Sequence, residues 1–126
     1  MPEERLAVAI FKDAVFEIVK APHQRDISKI TRLNESMNFL VENSADLRDD
    51  GKYWPYIEAA VRHVYPGLGQ TNVLELKVLL NEERDLLTKL EKRKTLVESE
   101  LQQILTFCQE MWYQLELLER GLSPHR

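Results

Sequence analysis

Residues 71–120 read TNVLELKVLLNEERDLLTKLEKRKTLVESELQQILTFCQEMWYQLELLER, with neither Gly nor Pro until Gly121. This stretch decides the fold. Thr71 or Asn72 suits a helix cap, and nothing local stops a helix before Arg120. With Val73 as heptad position a, the a column is Val73, Leu80, Leu87, Lys94, Leu101, Cys108 and Leu115. The d column is Leu76, Glu83, Leu90, Val97, Ile104, Met111 and Leu118. Twelve of these fourteen positions are apolar or cysteine over seven heptads, which exceeds an ordinary amphipathic stripe and predicts a coiled-coil-like helix. About fifty residues at roughly 1.5 Å each make a rod of about 75 Å.

A rod of that length outreaches any short helix laid against it, so part of its apolar seam needs a second copy. The expected oligomer interface is Leu80, Leu87, Leu90, Val97, Leu101, Ile104, Cys108, Met111, Leu115 and Leu118. The g positions Leu79 and Leu86 widen the stripe toward its N-terminal end, where other helices can dock. Leu105, Phe107 and Trp112 widen it again near the other end. Lys94 at a and Glu83 at d interrupt the seam and read as register-fixing charges.

Working outward, residues 1–67 read as a three-helix head. Ala7, Ile10, Phe11, Ala14, Val15 and Ile18 share one helical face between Pro2 and Val19, and Pro22 bars continuation. Asp26 is placed to cap a second helix with the stripe Ile30, Leu33, Met37, Leu40 and Val41, ended by the polar turn at residues 48–51. Pro55 suits the first turn of a third helix carrying Trp54, Ile57, Val61 and Val64, stopped at Pro66-Gly67. The expected organisation is therefore a head at 1–67, a long heptad helix at 70–121 and a disordered tail at 122–126. The fold class is all-α, forming a helical bundle on oligomerisation.

Composition narrows the function classes. Charged residues at 30% with four Gly and five Pro fit a charged-surface helical domain rather than a disordered one. A net charge of -4 supplies no global field toward nucleic acid or anionic lipid. One cysteine excludes an internal disulfide framework and favours a reduced, cytoplasmic setting. The opening residues Pro2, Glu3, Glu4 and Arg5 are unlike a signal peptide, and the apolar run from Leu6 to Ile10 is too short to span a bilayer, so no membrane is expected.

Candidate sites are few. Phe107, Trp112 and Tyr113 form an aromatic cluster suited to a protein partner or to the core of a self-associated bundle. Lys89, Lys92, Arg93 and Lys94 are the one basic run, a phosphate contact or a solvated face. Gly67 to Thr71 precedes a helix start but lacks the Lys-Ser or Lys-Thr pair of a phosphate loop. His23, His63 and His125 show no metal-ligand spacing, and Cys108 has no base beside it in sequence. No catalytic, metal or cofactor set is read.

Leu80 to Leu105 is similar to the coiled regions of helical secretion or flagellar chaperones, a likeness that heptads of Leu, Glu and Lys produce, and no residue role is carried from it. The expected function is a non-enzymatic structural or adaptor protein that self-associates as a homodimer or tetramer and binds a protein partner. A nucleic-acid accessory protein using the basic run and a partner-protein chaperone are the alternatives.

Overall fold

A computed structural model describes residues 2–20, 26–43, 52–68, 73–94 and 97–125. These form five α-helices: α1 Pro2–Val19, α2 Ile27–Asn43, α3 Trp54–Val64, α4 Val73–Arg93 and α5 Glu98–Glu119, with a 3₁₀ turn at Pro66–Leu68. The described residues contain no strand. The turn expected at 48–51, the cap at Thr71 or Asn72, the loop at 69–71 and His23 lie outside the described residues.

The first three helices follow their sequence signals. Asp26 caps α2, its carboxylate accepting from the Ser28 hydroxyl and from the Lys29 main-chain N–H. Ile30, Leu33, Met37 and Leu40 are completely buried. In α3, Pro55 sits in the first turn, while Trp54, Ile57 and Val61 are buried. The α3 cap continues into the 3₁₀ turn, the Tyr65 N–H donating to the Val61 carbonyl.

The long helix is different. Where the heptads predict one rod, the described residues make two helices, α4 ending at Arg93 and α5 beginning at Glu98. Lys94 sits at φ 56°, a left-handed conformation that a side chain tolerates at a cost of about 1 kcal/mol. Val97 is extended at φ −84° and ψ 113° and precedes the first turn of α5. The Arg93 guanidinium closes the turn on the Glu100 carboxylate, with contacts of 3.0 Å to each oxygen. Glu83 of α4 faces Gln103 and Cys108 of α5, so the two helices run antiparallel as a hairpin.

Burial explains why the hairpin wins over the rod. Leu76, Leu80, Leu87 and Leu90 of α4, with Leu101, Ile104, Cys108, Met111 and Leu115 of α5, are at most 2% exposed inside one chain. Burying each such side chain stabilises by about 1.5–3 kcal/mol, far above the strain at Lys94. Helix α1 packs on α2, α2 on α4, α4 on α5 and α5 on α1, a closed ring of four helices, and α3 lies against α5 and α4. One cluster of buried side chains draws on all five helices. Head and heptad region therefore share a core and are not separate layers.

Polar contacts set how the helices align. Asn34 Nδ2 donates to Glu91 Oε2 at 2.7 Å, and Arg84 Nε donates to Asn38 Oδ1 at 2.8 Å, both between α2 and α4. Lys12 of α1 bridges Glu116 and Glu119 of α5 and lies 5.0 Å from the centre of the Trp112 ring. Helix α5 ends on Gly121 at φ 72°, with the Gly121 N–H bonded to Leu118 O and the Leu122 N–H to Leu117 O. That pair of bonds is a Schellman motif, which turns the chain back along the bundle. Residues 122–125, expected to be a disordered tail, lie along α3 and α5.

Candidate functional site

Four places carry the side chains singled out above, and the structure separates them. The first is the seam. Glu83, expected at a seam between copies, is 1% exposed inside the chain. Its Oε1 accepts the Tyr65 hydroxyl at 2.6 Å, and its Oε2 has no hydrogen-bond partner. Burial raises the Glu83 carboxyl above its usual range and the Glu82 charge adds to this, while hydrogen bonding from Tyr65 and Gln103 pulls the other way. Burial, aided by Glu83, likewise pushes up the Tyr65 hydroxyl. Cys108 is completely buried, and burial followed by the Glu83 charge raises its thiol, which keeps it a packed neutral group rather than a nucleophile. Lys94, the other seam charge, is exposed at the turn, far along α4 from Glu83.

The aromatic end divides. Phe107 is completely buried, Trp112 is partly buried and Tyr113 is 43% exposed. Trp112 joins Val15, Phe16, Val19 and Gln109 in lining a hollow of about 180 Å³ between α1 and α5. Phe16, with 55% exposure, stands at its rim. Beside it, burial lowers the Lys12 ammonium, but the hydrogen bonds and charges of Glu116 and Glu119 outweigh that and raise it. The Lys12 hydrogen bond holds Glu116 below the usual carboxylate range.

The basic run is exposed at Lys89, Lys92 and Lys94, but Arg93 is engaged by Glu100. Asn34 holds the neighbouring Glu91, so the face mixes both signs. Among the described residues, no group of three or more His, Cys, Asp or Glu side chains is placed to hold a metal ion, and no helix is long and apolar enough to cross a membrane.

The fourth place is the groove between α3 and α5, occupied by residues 122–125. The Tyr56 hydroxyl donates to the Leu122 carbonyl at 2.6 Å. Gln114, completely buried, turns both polar atoms of its amide to one residue: Nε2 donates to the His125 carbonyl at 2.9 Å and Oε1 accepts the His125 N–H at 3.0 Å. His63 Nε2 donates to the same carbonyl at 2.7 Å. The His125 ring stacks on His63 at 5.3 Å and meets the edge of Tyr113 at 6.1 Å. His63 Nδ1 faces Glu110 at 3.8 Å.

These four hydrogen bonds all reach main-chain atoms of the segment, whose side chains stay exposed except for half-buried Pro124. At about 1 kcal/mol each they supply about 4 kcal/mol, against about 1–2 kcal/mol per residue to order four residues. The segment is thus held close to balance. Sequence reasoning missed this groove because main-chain recognition leaves no pattern in the recognised residues. The available signal was Gln114, a polar g position flanked by apolar neighbours. It missed Phe16 for a simpler reason, since one exposed aromatic beside a regular stripe is unremarkable until α5 is seen against α1.

Compared with family models, with curated proteins and with solved structures, the chain matches none, so the reading of its function rests on this geometry.

Proposed function

We propose that the chain is a non-enzymatic structural or adaptor protein that assembles with a second copy by opening the α4–α5 hairpin into one coiled-coil helix, each copy lending α5 to the other. The observation that carries this reading is the linker. Residues 94–97 contain no Gly or Pro, Lys94 adopts a left-handed conformation there, and the heptad columns run through it without a change of phase. A hairpin has no need of that continuity, whereas a straightened helix does.

Exchange of an identical element costs little, because the contacts made within one chain are remade between two. Leu80, Leu87, Leu90, Leu101, Ile104, Cys108, Met111 and Leu115 would stay buried, now between copies, and Val97 and Leu118 at the edge would gain cover. The partner-facing surface is the hollow between α1 and α5, where Val15, Phe16, Val19 and Trp112 offer a seat for an apolar side chain of a partner protein. A single reduced thiol agrees with a cytoplasmic setting. The nucleic-acid reading keeps Lys89, Lys92 and Lys94 as exposed cations but has Arg93 tied to Glu100.

Solution mass by light scattering across a range of concentrations tests assembly against the 14.8 kDa monomer. A dimer fraction that grows in Thr95→Ala, which favours a continuous helix, and shrinks in Lys94→Gly, which favours the turn, is the expected result. A constant monomer mass for all three chains would overturn it.

A further inference from the structure

We infer that the groove between α3 and α5 is a binding site for an extended, proline-containing peptide segment of another protein, and that residues 122–125 are its resident occupant. The occupant's chemistry is on view. Leu122-Ser123-Pro124-His125 leaves α5 through the Gly121 turn and lies along the groove without helix or strand of its own. Pro124 is the one half-buried residue of the four, and its ring brings no N–H that would need a partner. The residue before a proline is confined to extended conformations, so such a segment enters the site already straightened.

The groove meets it with a repeated device. Tyr56, His63 and Gln114 all address main-chain carbonyls, at Leu122 and His125, and Gln114 adds an acceptor for the His125 N–H. Aromatic walls with hydroxyl and ring N–H donors aimed at carbonyls are how grooves hold straight, proline-bearing peptides. Gln114 argues for a built site. Beneath the resident segment it has zero exposure, and its amide turns a donor and an acceptor together to the main chain of one residue, a pairing that any peptide backbone can make. The reading of main-chain atoms makes the site tolerant of side chains, so a foreign segment with proline at the position of Pro124 can replace the resident one. His63 also lines a hollow of about 230 Å³ with Glu58, Ala59, Arg62 and Pro66. A longer peptide would extend into it.

The test uses the full chain labelled with nitrogen-15 and the peptide acetyl-Gly-Leu-Ser-Pro-His-amide, followed through the Gln114 side-chain amide and the His125 main-chain N–H. In Pro124→Gly, whose resident segment is loosened, millimolar peptide is expected to shift the Gln114 amide at about tenfold lower concentration than in the parent chain. Leu122→Gly serves as a second loosened chain. A peptide with leucine and histidine replaced by alanine is expected to bind within about threefold, whereas N-methylation at the histidine nitrogen weakens binding by about tenfold or more. Gln114→Leu removes one reporter, so it is read at the His125, Tyr56 and His63 main-chain N–H groups, whose response to peptide should be lost while the helical circular dichroism stays unchanged. Failure of either loosened chain to respond would overturn the inference, as would binding that follows side chains and ignores the N-methyl group. Dimerisation of the loosened chains through their own segments, with no uptake of free peptide, would also overturn it.

Discussion

The α4–α5 seam and the segment at 122–125 are both held against α5, yet by opposite means. The seam is held by side chains: its leucines, Ile104 and Met111 are buried while its main chain bonds within each helix. The segment is hydrogen-bonded through main-chain atoms, and of its side chains only half-buried Pro124 and the His125 ring touch the groove. Side-chain packing is cooperative and specific to the residues that make it. Main-chain hydrogen bonding is indifferent to them. The contrast separates a part of the molecule that fixes its shape from a part that can be exchanged.

The comparison breaks most visibly at the seam. Leu90→Ala, which empties a completely buried site, is expected to cost about 2–5 kcal/mol in urea unfolding, whether the hairpin is closed or exchanged. On the other side, Gln114→Leu is expected to cost only about 1–2 kcal/mol, while His125 amide exchange rises to that of a free chain. Equal losses from the two substitutions would mean that the segment is part of the core. Between them, Lys94→Gly relieves the left-handed position and is expected to stabilise the hairpin by about 1 kcal/mol in the same unfolding measurement.

The smallest effect, under acid conditions, comes from Glu83→Gln, and it grows with pH. The folded Glu83 carboxyl is raised above its unfolded value, so its stability contribution is complete below the ordinary carboxylate range and is lost as pH rises through the raised value. The amide cannot ionise. Thermal midpoints of parent and variant are therefore expected to diverge upward in favour of Glu83→Gln as pH rises through that window. Parallel curves would show that Glu83 ionises in the fold without cost.

Much of the architecture was legible in the residues. The bounds of α1, the Asp26 cap, the α2 stripe and the proline start of α3 all follow from spacing and from Pro, because each depends on near neighbours in sequence. The burial of Leu80, Leu87, Leu90 and Ile104 was legible too, though not which surface would cover them. What the heptads could not show is the break at 94–97. Lys, Thr, Leu and Val carry no stop signal, and α4 ends before Lys94 with α4 packed on α2 and α5 packed on α1 in the same chain. Of the aromatic cluster, periodicity placed Phe107 and Trp112 at the seam's margins and left Tyr113 unexplained. The structure gives Tyr113 a neighbour in the His125 ring. Glu83 stood out as an acid in an apolar column, but Tyr65, its hydrogen-bonding partner just past the end of α3, had no periodic signal.

That single acid has a thermochemical consequence. A group that takes up a proton more readily in the native state makes the hydrogen ion a ligand of the fold, binding the native state over the unfolded one. Within the affected pH window each folding event then withdraws a fraction of a proton from the buffer. The heat of unfolding measured by calorimetry would differ between buffers of unlike ionisation enthalpy, and the part of that difference due to Glu83 would be lost in Glu83→Gln.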